Sequence, residues 1–253
     1  MRRILVHLTA ILAILMAVSC RSSKIPSEST NKALLSTKKE LTEAIAEAVK
    51  NQPVTTYYAK NALAKVEVDG SSNVKVHSVK VNLFFEYGKE TVGVARLSFP
   101  PVSVGKVKMT GQKVSVNSGV LSINKEFNLP IDANQFLHDA LLGRIPNLCR
   151  LYGEGDFSSF DMSISKDDRY ILHRKKGGME TTIEINSDFN LHSYTISYLQ
   201  YELTHINKSF DKYDGRVLPN DIEMNVKLPG QSKPVKTEIE LSKITIDGKD
   251  RLE

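Results

Sequence analysis

From Tyr57 to Ile246, run after run of the chain alternates apolar with polar side chains, and that period of two constrains the fold more than any other feature. Successive side chains of a strand point to opposite faces, so this alternation specifies strands with one buried face. "LAKVEVD" alternates through Ala64, Val66 and Val68. "VKVHSVKVNLFFEY" does so through Val74 and Val76, then on the other parity through Val79, Val81, Leu83 and Phe85. The change of parity predicts a bulge near His77 and Ser78. Further strand segments are "TVGVARLSF", "GKVKMT", "KVSVN", "GVLSIN", "DMSIS", "RYILHRK", "ETTIEIN", "LHSYTISYL", "DIEMNVKL" and "VKTEIELSKITI", with Gly111 and "NSG" marking turns.

Two helices break this pattern. Thr37 and Glu40 fit a capping box, after which Leu41, Ala44, Ile45, Ala48 and Val49 fall on one face and Pro53 closes the segment. That face is expected to pack on the sheet. Asp132 and Gln135 form a second cap pair, Phe136, Leu137, Ala140 and Leu141 make an apolar stripe, and Gly143 stands where a C-terminal cap glycine belongs. The order helix, strands, helix, strands predicts a mainly β (α+β) domain. Its expected form is a single strongly curved antiparallel sheet, or unclosed half-barrel, of about ten to eleven strands with helices over its concave face.

The N-terminal segment has a different character. Arg2 and Arg3 precede an apolar run from Ile4 to Val18, broken only by His7 and Thr9, and small residues lead into Cys20. At about 1.5 Å per residue the run reaches about 23 Å, short of the roughly 30 Å of a bilayer core. The order of basic start, short apolar core and small-residue exit predicts a signal peptide over 1–19. Cys20 after Ala17, Val18 and Ser19 resembles the bacterial lipobox, whose cysteine is acylated and becomes the new first residue. A diacylglycerol and acyl modification there would anchor the chain stably, since one lipid chain holds only marginally and two or more hold well. The alternative is a soluble exported protein cut near the same place. Polar, turn-rich residues over 20–32 then read as a flexible linker, and 33–253 as one domain.

Composition narrows the function. The chain of 253 residues is 41% hydrophobic and 25% charged, enough for one large core. Its formal charge of +5 includes Arg2 and Arg3, and the scattered remainder excludes a nucleic-acid footprint. With Cys20 assigned to the anchor, Cys149 in "IPNLCRLYG" reads as a small buried residue, and no disulfide framework exists. His77, His138, His173, His192 and His205 lack metal-ligand spacing. "GEGD" at 153–156 is a glycine turn, and no nucleophile elbow or phosphate loop is present. The pairs Asp167 with Asp168 and Asp211 with Asp214 could supply acid and base for sugar hydrolysis, but charged turn residues are the commoner origin of such pairs. The expectation is a protein that is not an enzyme and binds no metal or cofactor.

Cys20 together with "YYAKNALAKVEVDG", "VGVARLSFPPVSVGKVKMTGQKVSVNS", "NQFLHDALLG" and "LPNDIEMNVKLPGQSKPVKTEIELSKITID" resembles a Bacteroidetes-type outer-membrane lipoprotein family, domain of unknown function 4292, over about Tyr57 to Asp247. That family is similar to the lipoprotein carriers LolA and LolB. The resemblance implies an unclosed barrel with a helical lid, holding the acyl chains of a lipid or lipoprotein in transit.

On this reading Val81, Leu83, Phe85, Val92 and Val94 would line the sheet side of an apolar cavity, and Phe136, Leu137 and Leu141 its helical side. The alternative is that they form a closed core. Burying acyl surface would contribute roughly 25 cal/mol per Å². The expected function is lipid or lipoprotein handling by a monomer anchored in the outer membrane and facing the periplasm. A noncatalytic envelope scaffold or a glycan- or protein-interaction module is the second expectation, supported by Tyr194, Tyr198 and Tyr201.

Overall fold

The computed structural model describes residues 34–51, 53–67, 79–87, 89–96, 103–118, 123–128, 132–145, 157–227 and 234–248. Helix α1 (Lys38–Asn51) leads into β1 (Thr56–Glu67), β2 (Val79–Glu86), β3 (Glu90–Arg96), β4 (Ser103–Thr110), β5 (Lys113–Ser118) and β6 (Ile123–Asn128). Helix α2 (Ala133–Leu141) follows, then β7 (Asp161–Ile164), β8 (Tyr170–Lys176), β9 (Met179–Ile185) and β10 (Leu191–Tyr198). The chain continues through β11 (Tyr201–Tyr213), β12 (Arg216–Lys227), β13 (Val235–Glu240) and β14 (Ile244–Ile246).

These strands form one 14-stranded sheet in the order β6-β5-β4-β3-β2-β1-β13-β12-β11-β10-β9-β8-β7, with β14 paired to β1. All pairs are antiparallel. The two end strands, β6 and β7, do not meet in this order, so the sheet is a large unclosed half-barrel. The strand number exceeds the expected ten to eleven. One reason is β11, which has no apolar alternation in its middle. Another is that "VKTEIELSKITI" breaks after Glu240 into β13 and β14, which pair with successive halves of β1.

The order also explains why a helix crosses the inner face. One meander runs outward from β1 to the β6 edge, and the other starts at the β7 edge and returns to the centre. The connection between edges must traverse the sheet, and α2 lies on that connection. Its N-terminal end is held by the first meander, where Asn134 N donates to Gly111 O at 3.2 Å. Its C-terminal end is held by the second, where Leu191 N donates to Gly143 O at 3.0 Å.

The expected caps form at both helices. Thr37 N donates to Glu40 Oε2 at 3.1 Å, and Glu40 N donates to Thr37 Oγ1 at 3.2 Å, a reciprocal capping box. Leu41 and Ile45 are buried, each contributing about 2 kcal/mol. Asp132 Oδ1 accepts from Gln135 N at 2.8 Å. Gly143 has φ +64, the left-handed conformation expected of a cap glycine.

The bulge expected at His77 and Ser78 lies outside the described residues, as do Cys20, Cys149, the 1–19 signal, the 20–32 linker and "GEGD". A register shift does occur on β1 between Ala59 and Ala62, opposite β2. Asn61 there has φ +52, and its N–H donates to Asn82 Oδ1 at 2.8 Å. The side-chain amide thus replaces the ladder partner that the bulge removes. No helix among the described residues is long and apolar enough to cross a membrane.

Candidate functional site

The expected lining residues separate into two groups. In the register, Phe85, Thr91, Met109 and Val114 stand in one row across β2 to β5, and Leu83, Gly93, Val107 and Val116 in the next. These rows face inward, with Phe85 fully buried and Val81 and Leu83 nearly so. Val92 and Val94 belong to the other face. They stand opposite Phe84 and Asn82 on β2, and opposite Lys108 and Lys106 on β4. Their half-buried side chains therefore do not share a lining with Val81, Leu83 and Phe85. The inner positions of β3 carry Thr91, which hydrogen-bonds to Asn134 and His138 of α2, and Gly93.

Phe136, Leu137 and Leu141 are buried in the same core cluster as Val81, Leu83 and Phe85. Phe85 stacks between Tyr57 (centroids 4.8 Å apart) and His138 (4.0 Å), and Phe136 meets Tyr194 edge-on at 5.9 Å. Beneath the middle of the sheet these residues form a packed interior.

The polar side of α2 is buried too. Thr91 Oγ1 donates to Asn134 Oδ1 at 2.6 Å, so the 2.8 Å contact of Thr91 Oγ1 with His138 Nε2 makes that nitrogen the donor. Asn134 Nδ2 donates to Lys89 O at 2.6 Å, and Gln135 Nε2 donates to Tyr87 Oη at 2.9 Å. Hydroxyl beside imidazole has the look of a nucleophile and base, yet Thr91 is 1% exposed and His138 0%. This network ties the helix to β3 and the β2–β3 turn. Burial lowers His138 to about 4.

A second polar pair lies under β10 to β12. His205 Nε2 donates to Asn207 Oδ1 at 2.8 Å, and Asn207 Nδ2 donates to Leu191 O at 2.7 Å. His205 Nδ1 then remains a buried acceptor with no hydrogen-bond donor. Burial lowers this imidazole to about 4, keeping it neutral.

Open space occurs at the tip of the β8–β9 and β10 strands. A cavity of about 490 Å³ is lined by Arg174, Lys176, Gly177, Met179, Thr181 and Tyr198. The register places these side chains on the inner face: Arg174 pairs with Thr181, Lys176 with Met179, and Met179 with Tyr198. Arg174 and Thr181, buried at 7% and 3% exposure, form its inner end. Arg174 Nη1 donates to Ser159 Oγ at 3.3 Å, and the guanidinium carbon lies 4.6 Å above the Phe160 ring. Exposed Tyr198 and Tyr201, opposite each other on β10 and β11, stand at the outer end with Leu199 between them. Space near α1 is much smaller, about 30 Å³ among Ile45, Val54, Leu142, Leu218 and neighbours.

The fold is similar to that of a protein solved by crystallography. The crystal structure of a DUF1329 family protein from Desulfovibrio piger ATCC 29098 matches 85% of this chain and 95% of its own, with TM-score 0.53 and 13% identity. The likeness shows the fold alone. It is a different family of unknown function from the one the sequence resembles. Scans of protein-family models and of curated proteins find no match.

Other sequence candidates are dispersed over this fold. His173 Nε2 lies 3.1 Å from Glu180 Oε1 on the outer face, and His192 lies 4.0 Å from Glu184. Asp167 and Asp168 occupy the β7–β8 turn, and Asp214 the β11–β12 turn. Among the described residues, no group of three or more His, Cys, Asp or Glu is placed to hold a metal ion. Tyr194 is fully buried, whereas Tyr198 and Tyr201 are exposed. Sequence reasoning missed Arg174, Met179 and Thr181, which lie on two strands and share no local motif. Their signal was a cation at an inward position of "RYILHRK", where Tyr170 and Leu172 set the parity.

Proposed function

We propose that this protein is a noncatalytic, lipid-anchored module of the bacterial envelope that shelters an apolar chain, akin to the lipoprotein carriers. The supporting observation is the cavity of about 490 Å³ on the inner face of an unclosed sheet. Its volume falls in the range of roughly 300–1,000 Å³ common to small-ligand sites. The guest space is offset from the packed middle of the sheet toward the β8–β10 tip, so Met179 and Tyr198 replace Val81, Leu83 and Phe85 as lining residues. Acylated Cys20 would hold the domain to the outer membrane on its periplasmic side, as a monomer without cofactor.

Native mass spectrometry of protein gently extracted from its own membrane tests this reading. The expected result is a bound lipid or acylated peptide, together with an N-terminal fragment in which Cys20 carries acyl chains. A ligand-free mass with an unmodified Cys20 overturns it. A second reading, a protein- or glycan-binding module, is favoured by the exposed Tyr198 (45%), Leu199 (79%) and Tyr201 (41%). Retained binding to a glycan array after the cavity is filled by Thr181→Trp would support that alternative.

A further inference from the structure

We propose that the resident guest of this cavity is the chain's own anchor, one of the acyl chains on Cys20 seated between Met179 and Tyr198. The proposal rests on reading the cavity as an apolar-ligand site and Cys20 as acylated, and adds where the guest comes from. Tyr170, Leu172, Arg174 and Lys176 stand in one inward row of β8. The cavity occupies the far end of that row, at Arg174 and Lys176. The first described residues lie at its near end, where Leu35 N donates to Tyr170 Oη at 2.9 Å. Lys38 fixes the start of α1 to the same region, its Nζ donating to Ser158 O and Phe160 O, both at 2.8 Å. The Phe160 ring in turn lies under Arg174, 4.6 Å from the guanidinium carbon. The polypeptide that carries Cys20 therefore leaves the sheet on the face that holds the cavity, and close beside it.

The tether is long enough. A strand rises about 3.3 Å per residue, so Arg174 lies about 13 Å and Lys176 about 20 Å along the row from Tyr170. The fourteen peptide steps from Cys20 to Leu34 reach at most about 50 Å. The wall that an acyl chain would meet is made of Met179, the Tyr198 ring and the aliphatic stems of Arg174 and Lys176. A guest on a short tether also competes well, because its effective concentration is on the order of 1 mM. Of the three chains on a diacylglycerol- and acyl-modified cysteine, lifting one leaves two in the bilayer, and two hold stably. A foreign acyl guest would then have to displace the resident chain, which would return to the membrane.

Photo-crosslinking in native membranes tests this. Full-length protein made with its own signal carries Tyr198→p-benzoylphenylalanine in the cavity wall, or Lys175→p-benzoylphenylalanine on the outer face. Both positions are exposed, so neither substitution threatens the fold. After irradiation, mass spectrometry of the digest should find the first probe joined to the acylated Cys20 peptide, in a product that runs as one chain on a denaturing gel. With the guest concentrated by its tether, this internal adduct should exceed that of the second probe about tenfold or more. An internal adduct equally frequent at both positions overturns the proposal. Adducts of the first probe only to phospholipid or to another chain's lipopeptide also overturn it, while the apolar-guest reading stands. No acyl adduct of the first probe overturns both.

Discussion

Mild acid should destabilise this protein through two histidines that have no part in ligand binding. His138 and His205 are fully buried, and burial lowers each from the ordinary 6.5 to about 4. Both are held as neutral Nε2–H tautomers by Thr91 and Asn207. Below about pH 6.5 the unfolded chain takes up protons that the native core refuses. The unfolded state then binds more protons, so stability falls with pH, and the loss accumulates down to the native value of about 4. Between pH 7 and 5 each histidine costs about 2 kcal/mol, at about 1.36 kcal/mol per fully developed unit. Together they remove about 4 kcal/mol from a total that is typically about 5–15. His192 is lowered by burial, then by Arg169, and acts with the same sign. Urea unfolding followed by circular dichroism at pH 7, 6 and 5 measures the effect above the main carboxylate range. His205→Phe keeps a ring to stack on Tyr194, now 5.1 Å from the imidazole. It should lower stability at pH 7 by leaving Asn207 Oδ1 without its donor, yet weaken the pH dependence by about 2 kcal/mol over the same interval. A midpoint constant from pH 7 to 5, or a variant as pH-dependent as its parent, refutes the reasoning.

Three substitutions test the architecture by equilibrium unfolding in urea. Phe85→Ala should cost about 3–5 kcal/mol by emptying the stack between Tyr57 and His138, while Val92→Thr on the outer face should change stability by no more than about 0.5 kcal/mol. Gly143→Ala should cost about 2 kcal/mol, because φ is +64 and the added Cβ would lie 3.1 Å from Pro219. Leu199→Asn should raise stability by about 0.5 kcal/mol, since Leu199 is exposed at φ +56 and asparagine tolerates that region better. A loss there would show that the leucine makes a stabilising contact.

Local chemistry made much of the framework legible. The Thr37–Glu40 and Asp132–Gln135 caps and the Gly143 stop each depend on residues within a few positions, and all form as expected. Most strands declared themselves because their inner positions are apolar. β11 did not: its inner positions include His205 and Asn207, which hydrogen-bond to each other in the buried core and mimic surface polarity in the sequence. The parity of β3 misled for the opposite reason. Val92 and Val94 are its larger apolar residues but face outward, while Gly93 and Thr91, the latter hydrogen-bonded to α2, occupy the inward register. The cavity was hidden for a third reason. Its walls come from β8, β9 and β10, and only their register brings Arg174, Thr181 and Tyr198 to one side.

The position of β1 has a consequence for how the chain acquires its shape. The first strand to emerge in synthesis waits at the centre of the sheet for the last two, β13 and β14, which pair along its free side. Closure of so long a loop weighs against rapid folding. Until those final segments arrive, the early meander has an open margin where its keystone should be. Among the described strands, the two meanders are joined through the middle of the sheet only once β13 and β14 have been made.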